Sequence, residues 1–324
     1  MRVERYEESS RQLWDEFIRA SKNGTFLFLR DYMEYHRDRF ADHSLMVLDD
    51  GGAITALLPA NAKDNVVASH GGLTYGGFVT DDKMKLPRML EVFETSLAYL
   101  KEQAFQRLVY KCIPHVYHRA PAEEDSYALF LCRASLIRRG ALAVVDGSHP
   151  LALQERRRRG ARKARNSGVT VARSDRFEEY WPILVERLRE AHGADPVHSL
   201  AEIQRLHSRF PDNIKLFAAY HDDAMVAGVI IYETDRVAHA QYIVSNHRSR
   251  DLGALDLVFE ELLLNYYRDK PYFDFGTSDE LDGRRLNQGL IDQKEGYGAR
   301  VVAHDHYEID LRAWTPGQLA ASLA

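Results

Sequence analysis

The segment at residues 107–119 combines a strand-like run with several side chains that can move protons or hold anions. Lys111, His115, Tyr117 and His118 follow one another where the β-branched run ends. Ligands of α/β sheets collect beyond the carboxyl ends of strands, so this cluster predicts a site. His115 or His118 could take a proton from an amine, while Lys111 and Tyr117 could bind a substrate. The alternative interpretation is an exposed loop without a ligand.

His115 and His118 also have the His-x-x-His spacing found in some zinc sites, and Glu123 and Glu124 follow closely. The carboxylates could equally orient one of the histidines as a base. The spacing alone is common and does not specify a metal. We therefore expect no metal site.

A glycine-rich stretch at residues 70–77 is a second candidate for ligand contact. Its four glycines would let the backbone approach a ligand closely, and Tyr75 offers both a ring and a hydroxyl. A tight turn without a ligand would need the same glycines. Both interpretations stay open from the sequence.

The segment from Arg156 to Arg165 is the most basic part of the chain. Like charges at this density repel one another on a helix unless anions are near. A phosphate-bearing partner would relieve the repulsion, and solvation with pairing to acidic side chains is the alternative. The basic residues are Arg156, Arg157, Arg158, Arg159, Arg162, Lys163 and Arg165.

The composition excludes several classes of protein. The chain has 324 residues, with 43 basic and 48 acidic side chains and a net charge of −5, which argues against a generally nucleic-acid-binding surface. Two cysteines are too few for a disulfide scaffold, so we expect a reduced, cytoplasmic protein. No run approaches the roughly 18 apolar residues of a membrane span, and the N-terminus lacks the apolar stretch of a signal peptide.

The order of predicted elements occurs twice along the chain. The second half gives two helices at 177–191 and 200–210, a three-strand meander between 215 and 244, a helix, and a buried strand at 272–275. The first half follows the same order, including an amphipathic helix from Leu86 to Leu100. This repeat predicts two α/β units joined near residues 147–150.

Three separated motifs resemble the Fem-type aminoacyl transferases, a double-GNAT family. They are "SHGGLTYGGFV" at residues 69–79, "ERRRRGARKARNSGVTV" at 155–171, and "YFDFGTS…GRRLNQGLIDQKEGYGA" ending at 299. The resemblance implies an α/β fold of two tandem GNAT-like units. We expect the first unit at 1–147 and the second, donor-binding unit at 148–305. Residues 306–324 are expected to return to the first unit.

The resemblance also implies roles for particular side chains. Lys294, in "QKEGYG", is expected near the acyl-transfer centre, where its ammonium could stabilise developing negative charge; the alternative is a solvated lysine at a helix end. Arg248, Arg250 and Gly253 lie where GNAT enzymes hold the coenzyme A pyrophosphate, although Leu255 replaces the last small residue of that pattern.

The second helical pattern of the first unit, at residues 29–40, carries Arg30 and Tyr35. In the GNAT fold this region rims the acceptor cleft, so the two side chains are expected to bind a nucleotide-sugar pyrophosphate or a carboxylate. Packing of Tyr35 against Phe40 is the alternative.

The function implied by the resemblance is transfer of an acyl or aminoacyl group to an amine. The expected acceptor is a small molecule of the cell envelope, an amino sugar of a surface polysaccharide or its nucleotide-linked precursor. The donor is expected to be acyl-coenzyme A, or aminoacyl-tRNA contacted through Arg156 to Arg165. Because GNAT transfer is direct, no nucleophilic serine or cysteine is needed, and no Gly-x-Ser-x-Gly motif occurs.

Two alternatives remain at this stage. One is an aminoacyl-tRNA-dependent transferase acting on peptidoglycan precursors. Family members that build pentaglycine bridges carry a long coiled-coil arm, and no heptad pair of that kind interrupts residues 177–210. The other is a catalytically silent double-GNAT module that binds a polysaccharide precursor.

Overall fold

The predicted three-strand meander of the second half is present in the computed structural model. This structure describes residues 1–319 and 321, apart from the side chains of residues 191 and 192. The chain divides into two compact units. The first comprises Met1–Gly140, Asp282–Arg284 and Ala303–Ala324, and the second comprises Ala141–Leu281 and Arg285–Val302. Within the described residues, no helix combines the length and the apolar character needed to cross a membrane.

The first unit begins with short strands and irregular turns before its long amphipathic helix. Its strands are β1 (Arg2–Arg5), β2 (Ala41–Asp42), β3 (Leu45–Leu48), β4 (Ile54–Leu58), β5 (Asn61–Lys63), β6 (Val66–Ala68), β7 (Val79–Thr80), β8 (Arg107–Lys111) and β9 (Ser135–Asp146), along which the chain enters the second unit. Its helices are α1 (Arg11–Ala20), α2 (Arg30–Met33), α3 (Leu86–Glu102) and α4 (Glu124–Leu131).

The second unit contains the basic helix, the meander and the final helix. Its strands are β10 (Thr170–Ser174), β11 (Ile214–His221), β12 (Ala224–Glu233), β13 (Val237–Ser245), β14 (Tyr272–Thr277), β15 (Asp279–Glu280), β16 (Arg285–Leu286) and β17 (Arg300–Asp310), which leads back into the first unit. Its helices are α5 (Glu155–Asn166), α6 (Phe177–His192), α7 (Leu200–Arg209), α8 (His247–Leu252), α9 (Ala254–Glu261) and α10 (Gln288–Glu295).

In the first unit, β1, β3, β4 and β7 form one antiparallel sheet. A second set of strands places β8 between β17, which is antiparallel to it, and β6, which is parallel. Helix α3 buries the apolar side chains Leu90, Phe93 and Leu97, which recur at helical spacing. Trp314, in the C-terminal segment, joins the same core.

In the second unit the strands follow the order β10, β11, β12, β13, β14 and β9. All neighbours are antiparallel except β13 and β14, which are parallel. Helices α5 and α9 pack together against one face of this sheet. Their crossing is close because Gly160 of α5 meets Gly253, at the start of α9: a Cβ on Gly253 would lie 2.5 Å from the Gly160 carbonyl oxygen.

Replacing Gly253 by alanine should therefore destabilise the second unit. Gly253 has φ +77°, so alanine adds left-handed strain to the overlap with Gly160, and we expect a loss of about 2–4 kcal/mol. Gly168→Ala is the matched control, because Gly168 has φ +82° with nothing within 4 Å of a Cβ. It should cost only about 1–2 kcal/mol. Equal losses for the two variants in urea unfolding would refute the packing explanation.

Candidate functional site

The parallel pair β13 and β14 separates soon after it forms. Pairing covers only Val237 to His239 on β13 and Tyr272 to Asp274 on β14. Beyond those three residues the strands continue without pairing to each other. A bulge in the β12–β13 ladder, where Ile230 faces Tyr242 and Ile231 faces Ala240, lies beside the separation. Bulges bend the strand that contains them, so this one helps β13 to diverge from β14.

A cleft of about 490 Å³ lies in the second unit beside this separation. The end of β13, the α8–α9 junction, β14 and α10 all contribute to its wall. Four of its side chains are cationic, which suits an anionic ligand. The residues that line it are Arg157, Arg187, Leu188, Ile243, Val244, Ser245, Ser249, Arg250, Gly253, Leu255, Asp256, Phe259, Phe275, Leu290, Gln293, Lys294 and Tyr297.

Lys294 lies in the last turn of α10 and points to the end of β14. It is 5% exposed, and Nζ donates to the carbonyl oxygens of Gly276, at 3.0 Å, and Thr277, at 2.5 Å. Burial lowers the pKa of Lys294 to about 8, although the carboxylates of Asp274 and Asp279 oppose this shift. An ammonium has three donors, and two are engaged within the part of the chain that the structure describes. The third can serve a ligand.

Tyr297 closes the cleft beneath Lys294. Its ring stacks on Phe275 at 5.6 Å, and its hydroxyl donates to Asp256 Oδ1 at 2.5 Å. The same oxygen accepts from Arg157 Nη1 at 3.0 Å, while the Arg157 guanidinium lies 4.9 Å from the centre of the Tyr297 ring. Burial raises the pKa of Tyr297 well above its usual value, so the hydroxyl stays protonated. Arg157 is thus held rigidly at the cleft wall.

Two buried polar atoms of this wall have no hydrogen-bond partner among the described residues. They are Nε of Arg157 and Oγ of Ser249. Each buried polar atom without a partner calls for an explanation, and a bound ligand is one. The side chain of Arg250 is exposed at the same cleft, again without a partner in the described part of the chain. The donors fit a phosphate-bearing ligand such as coenzyme A.

The structure brings Lys294 together with two of the three residues predicted to bind coenzyme A and leaves the third apart. Lys294, Arg250 and Gly253 all line the cleft. Arg248 instead pairs with Asp222 in the β11–β12 turn at 2.6 Å and does not line it. The sequence pattern marks Arg157 only as one of the basic residues of the 156–165 segment, and it does not distinguish Ser249 or Asp256 from their neighbours.

The predicted substrate residues of the first unit surround the glycine-rich stretch. Lys111 is buried, and its Nζ donates to the carbonyl oxygens of Leu73, at 2.5 Å, and Gly71, at 3.5 Å. Burial lowers the pKa of Lys111 to about 8. The rings of Tyr75 and Tyr117 lie 4.5 Å apart, and Tyr75 donates to Thr25 Oγ1 at 3.1 Å. These residues hold the glycine-rich backbone in place.

The two candidate histidines of residues 111–119 differ in their surroundings. His115 is exposed in a short 3-10 turn. His118 is buried, and its Nε2 lies 3.1 Å from the carbonyl oxygen of Ile113. Burial lowers the pKa of His118 to about 4, so it is neutral near pH 7. No cluster of three potential metal ligands occurs among the described residues.

Arg30 and Tyr35 are both interior residues of the first unit. The Arg30 guanidinium lies 3.7 Å from the Tyr6 ring centre and 5.3 Å from that of Trp14. It also pairs with Glu34, at 3.2 Å, and with Asp42. Tyr35 stacks on His36 at 4.2 Å. Their predicted substrate role stays a prediction, and the structure adds a packing role for each.

Comparison with known proteins identifies the fold. Residues 153–282 match the family model described as "Acetyltransferase (GNAT) domain". The chain is similar to a crystal structure of FemX, with a TM-score of 0.67 and 13% identity over 96% of this chain and 97% of that one. No curated protein matches the chain significantly.

Two further solved structures share the arrangement. A tandem GNAT protein from the clavulanic acid biosynthesis pathway gives a TM-score of 0.53 and 11% identity over 95% of this chain and 98% of that one. The C-terminal domain of a putative lysylphosphatidylglycerol synthetase from Agrobacterium fabrum gives 0.56 and 11%, with 87% of each chain covered. The predicted α/β fold of two tandem GNAT-like units is confirmed.

Replacing Arg30 by methionine should destabilise the first unit by about 3–5 kcal/mol, because Asp42 and Glu34 lose a buried cationic partner. Thermal and urea unfolding measure the loss. Arg37→Met, at an exposed position seven residues along, is the control and should change stability by less than about 0.5 kcal/mol. An Arg30 variant as stable as the control would show that these contacts add nothing.

Proposed function

We propose that the chain is an N-acyltransferase whose donor, an acyl-coenzyme A, binds in the cleft of the second unit. The supporting observation is that β13 and β14 separate beside a cleft whose wall carries Arg157, Ser249 and Arg250. Each of these side chains has a hydrogen-bond donor without a partner among the described residues. Arg250 and Arg157 would hold the phosphates. The apolar part of the wall, including Phe275, would hold the thioester arm.

Lys294 would act at the acyl carbon. A neutral amine attacks the thioester carbonyl, the carbonyl oxygen gains negative charge, and the C–S bond then breaks. The Lys294 ammonium, fixed by two backbone carbonyls, would stabilise that charge without having to reorganise. The tandem GNAT fold and the resemblance to Fem-type enzymes support an amine on a cell-surface sugar or its nucleotide-linked precursor as acceptor.

We place the reaction in the cytoplasm, where coenzyme A thioesters and nucleotide-linked sugars occur together. Cys112 and Cys132 are both free thiols, which fits a reducing compartment. Acceptor binding by Lys111, Tyr75 and the other candidates of the first unit, and proton transfer by His115 or His118, stay predictions from the sequence.

Aminoacyl-tRNA is the second candidate donor, and the surface of α5 favours it. Arg157 faces the cleft, Arg158 pairs with Glu155, and Arg165 pairs with Glu260. The other four basic side chains are exposed and have no acidic partner in the described residues. They are Arg156, Arg159, Arg162 and Lys163.

The acyl-coenzyme A proposal predicts that Arg250→Ala and Lys294→Met act on different steps. Arg250→Ala should weaken acetyl-coenzyme A binding by about 10- to 100-fold in calorimetry, because a charge-assisted phosphate contact is lost. Lys294→Met should bind within about threefold of wild type. It should release thiol about 10²-fold more slowly with amino sugars as acceptors.

The pH profile gives a second readout of Lys294. Because its pKa is near 8, the rate should fall as pH rises through that value, and Lys294→Met should lack this fall. Lys83→Met, at an exposed position in the first unit, should leave binding and rate unchanged. If wild type neither binds acetyl-coenzyme A at millimolar concentration nor releases thiol, the proposal fails, and a silent binding module or a tRNA donor takes its place.

The tRNA alternative predicts steeply salt-dependent binding of bulk tRNA. Reversing two charges in Arg159→Glu/Arg162→Glu should weaken binding at 50 mM salt by at least 10-fold and reduce the slope of log K against log salt by about 1.5. Lys83→Glu/Lys85→Glu changes the net charge equally on exposed positions of the first unit. Equal effects of the two double variants, or no tRNA binding by wild type at low salt, would exclude this donor.

A further inference from the structure

A buried carboxylate interrupts the apolar strand β14. Asp274 lies between Phe273 and Phe275, which both belong to the core on the helix side, so strand alternation places Asp274 on the opposite face. Asp274 is 1% exposed. Burying a carboxylate is costly unless it is hydrogen-bonded, and isolated carboxylates in core strands usually have a specific partner.

That partner is His239, the last residue of β13 that pairs with β14. Its Nδ1 lies 2.9 Å from Asp274 Oδ2, and Asp274 Oδ1 accepts from the Gly276 amide at 2.6 Å. Because a carboxylate can only accept, the hydrogen bond assigns a proton to Nδ1. In the neutral tautomer with that proton, the lone pair is on Nε2. The His239 side chain keeps 11% of its surface exposed, so the ring reaches solvent.

Gly276 connects this pair to Lys294. Its φ is +73°, and a Cβ at this position would lie 3.3 Å from Cε1 of His239. Its carbonyl oxygen accepts from Lys294 Nζ at 3.0 Å. The imidazole and the ammonium therefore flank the same residue, where β13 and β14 cease to pair. The ammonium lies at the cleft, and the imidazole lies on the face of the sheet opposite the core formed with α9.

We propose that His239, oriented by Asp274, is the base that takes the proton from the attacking amine. This assignment rests on the proposed function, in which the thioester carbonyl lies at the opening beside Lys294. An amine that approaches from the face of the sheet that carries His239 would reach the carbonyl carbon from the side away from the sulfur. The His239–Asp274 pair would then act on the acceptor amine within the second unit.

In the acyl-transfer step, the amine nitrogen forms a bond to the carbonyl carbon while Nε2 of His239 accepts a proton from that nitrogen. The C–S bond breaks, and the sulfur leaves as a thiolate that takes a proton from water. His239 then returns its proton to solvent. Asp274 stays ionised throughout and stabilises the imidazolium, so it is a positioning residue.

Two groups on neighbouring strands face His239. Asp274 of β14 lies within hydrogen-bond distance of Nδ1, and Tyr232 is the cross-strand neighbour on β12.

The test uses the full chain with acetyl-coenzyme A and the amino-sugar acceptor that gives the highest wild-type thiol release. His239→Ala should lower kcat by about 10²-fold or more with KM for acetyl-coenzyme A unchanged, and millimolar imidazole should restore part of the rate. Asp274→Asn should lower kcat at least tenfold with KM for acetyl-coenzyme A unchanged. His149→Ala, at an exposed position of the second unit, is the control and should behave as wild type.

The outcomes separate the two proposals. If wild type turns over and His239→Ala keeps its rate, the base assignment is wrong while the function stands. If His239→Ala is slow and folded by circular dichroism but imidazole restores nothing, His239 is structural and the assignment is again wrong. If wild type releases no thiol with any acceptor, the proposed function fails and takes this inference with it.

Discussion

The second unit depends on the need to satisfy backbone groups where β13 and β14 separate. A buried strand that loses its neighbour exposes amide and carbonyl groups that cost free energy unless they find partners. Here side chains take the place of the missing strand. Lys294 donates to the carbonyl oxygens of Gly276 and Thr277, and Asp274 accepts from the Gly276 amide. The opening between the strands is thus stabilised rather than closed.

The charges of Lys294 and Asp274 at the opening between β13 and β14 have a structural role that does not depend on catalysis. A buried ammonium and a buried carboxylate each carry a desolvation cost, and each lowers the cost of the other when they are close. The Asp274 and Asp279 carboxylates oppose the fall in the Lys294 pKa that burial causes. Near pH 7 Lys294 therefore remains a cation in an interior site. Such a preorganised charge is what stabilisation of an oxyanion requires.

The sequence contained enough information to predict the order of elements and part of the cleft. Alternation and turn residues specified the β11–β13 meander, and Lys294, Arg250 and Gly253, which the motif resemblance singled out, line one cleft. Arg248 does not line the cleft, and helix geometry explains why. Residues two apart on a helix are rotated by about 200°, so Arg248 and Arg250 of α8 cannot face the same ligand.

Other features of the structure could not be predicted from any single segment of the sequence. The helix expected at residues 29–40 is only Arg30–Met33, followed by a 3-10 turn at Glu34–His36. The contact between His239 and Asp274 joins residues 35 apart and depends on the parallel register of two strands. Local periodicity does not encode that register, since it is fixed by packing of the helices between them.

The orientation of α5 about its own axis determines which of its basic side chains could contact each of the two candidate donors. Ala161 and Ala164 are fully buried, and Gly160 contacts Gly253, so this face of the helix is fixed against α9. Arg157 is thereby held at the cleft, and the remaining basic side chains point to solvent. Exposed charges are screened over about 10 Å at 0.1 M salt, whereas a half-buried arginine paired with Asp256 is screened much less. A compact phosphate inside the cleft and an extended polyanion outside it would therefore use the same helix through different side chains, and only the second would depend strongly on ionic strength.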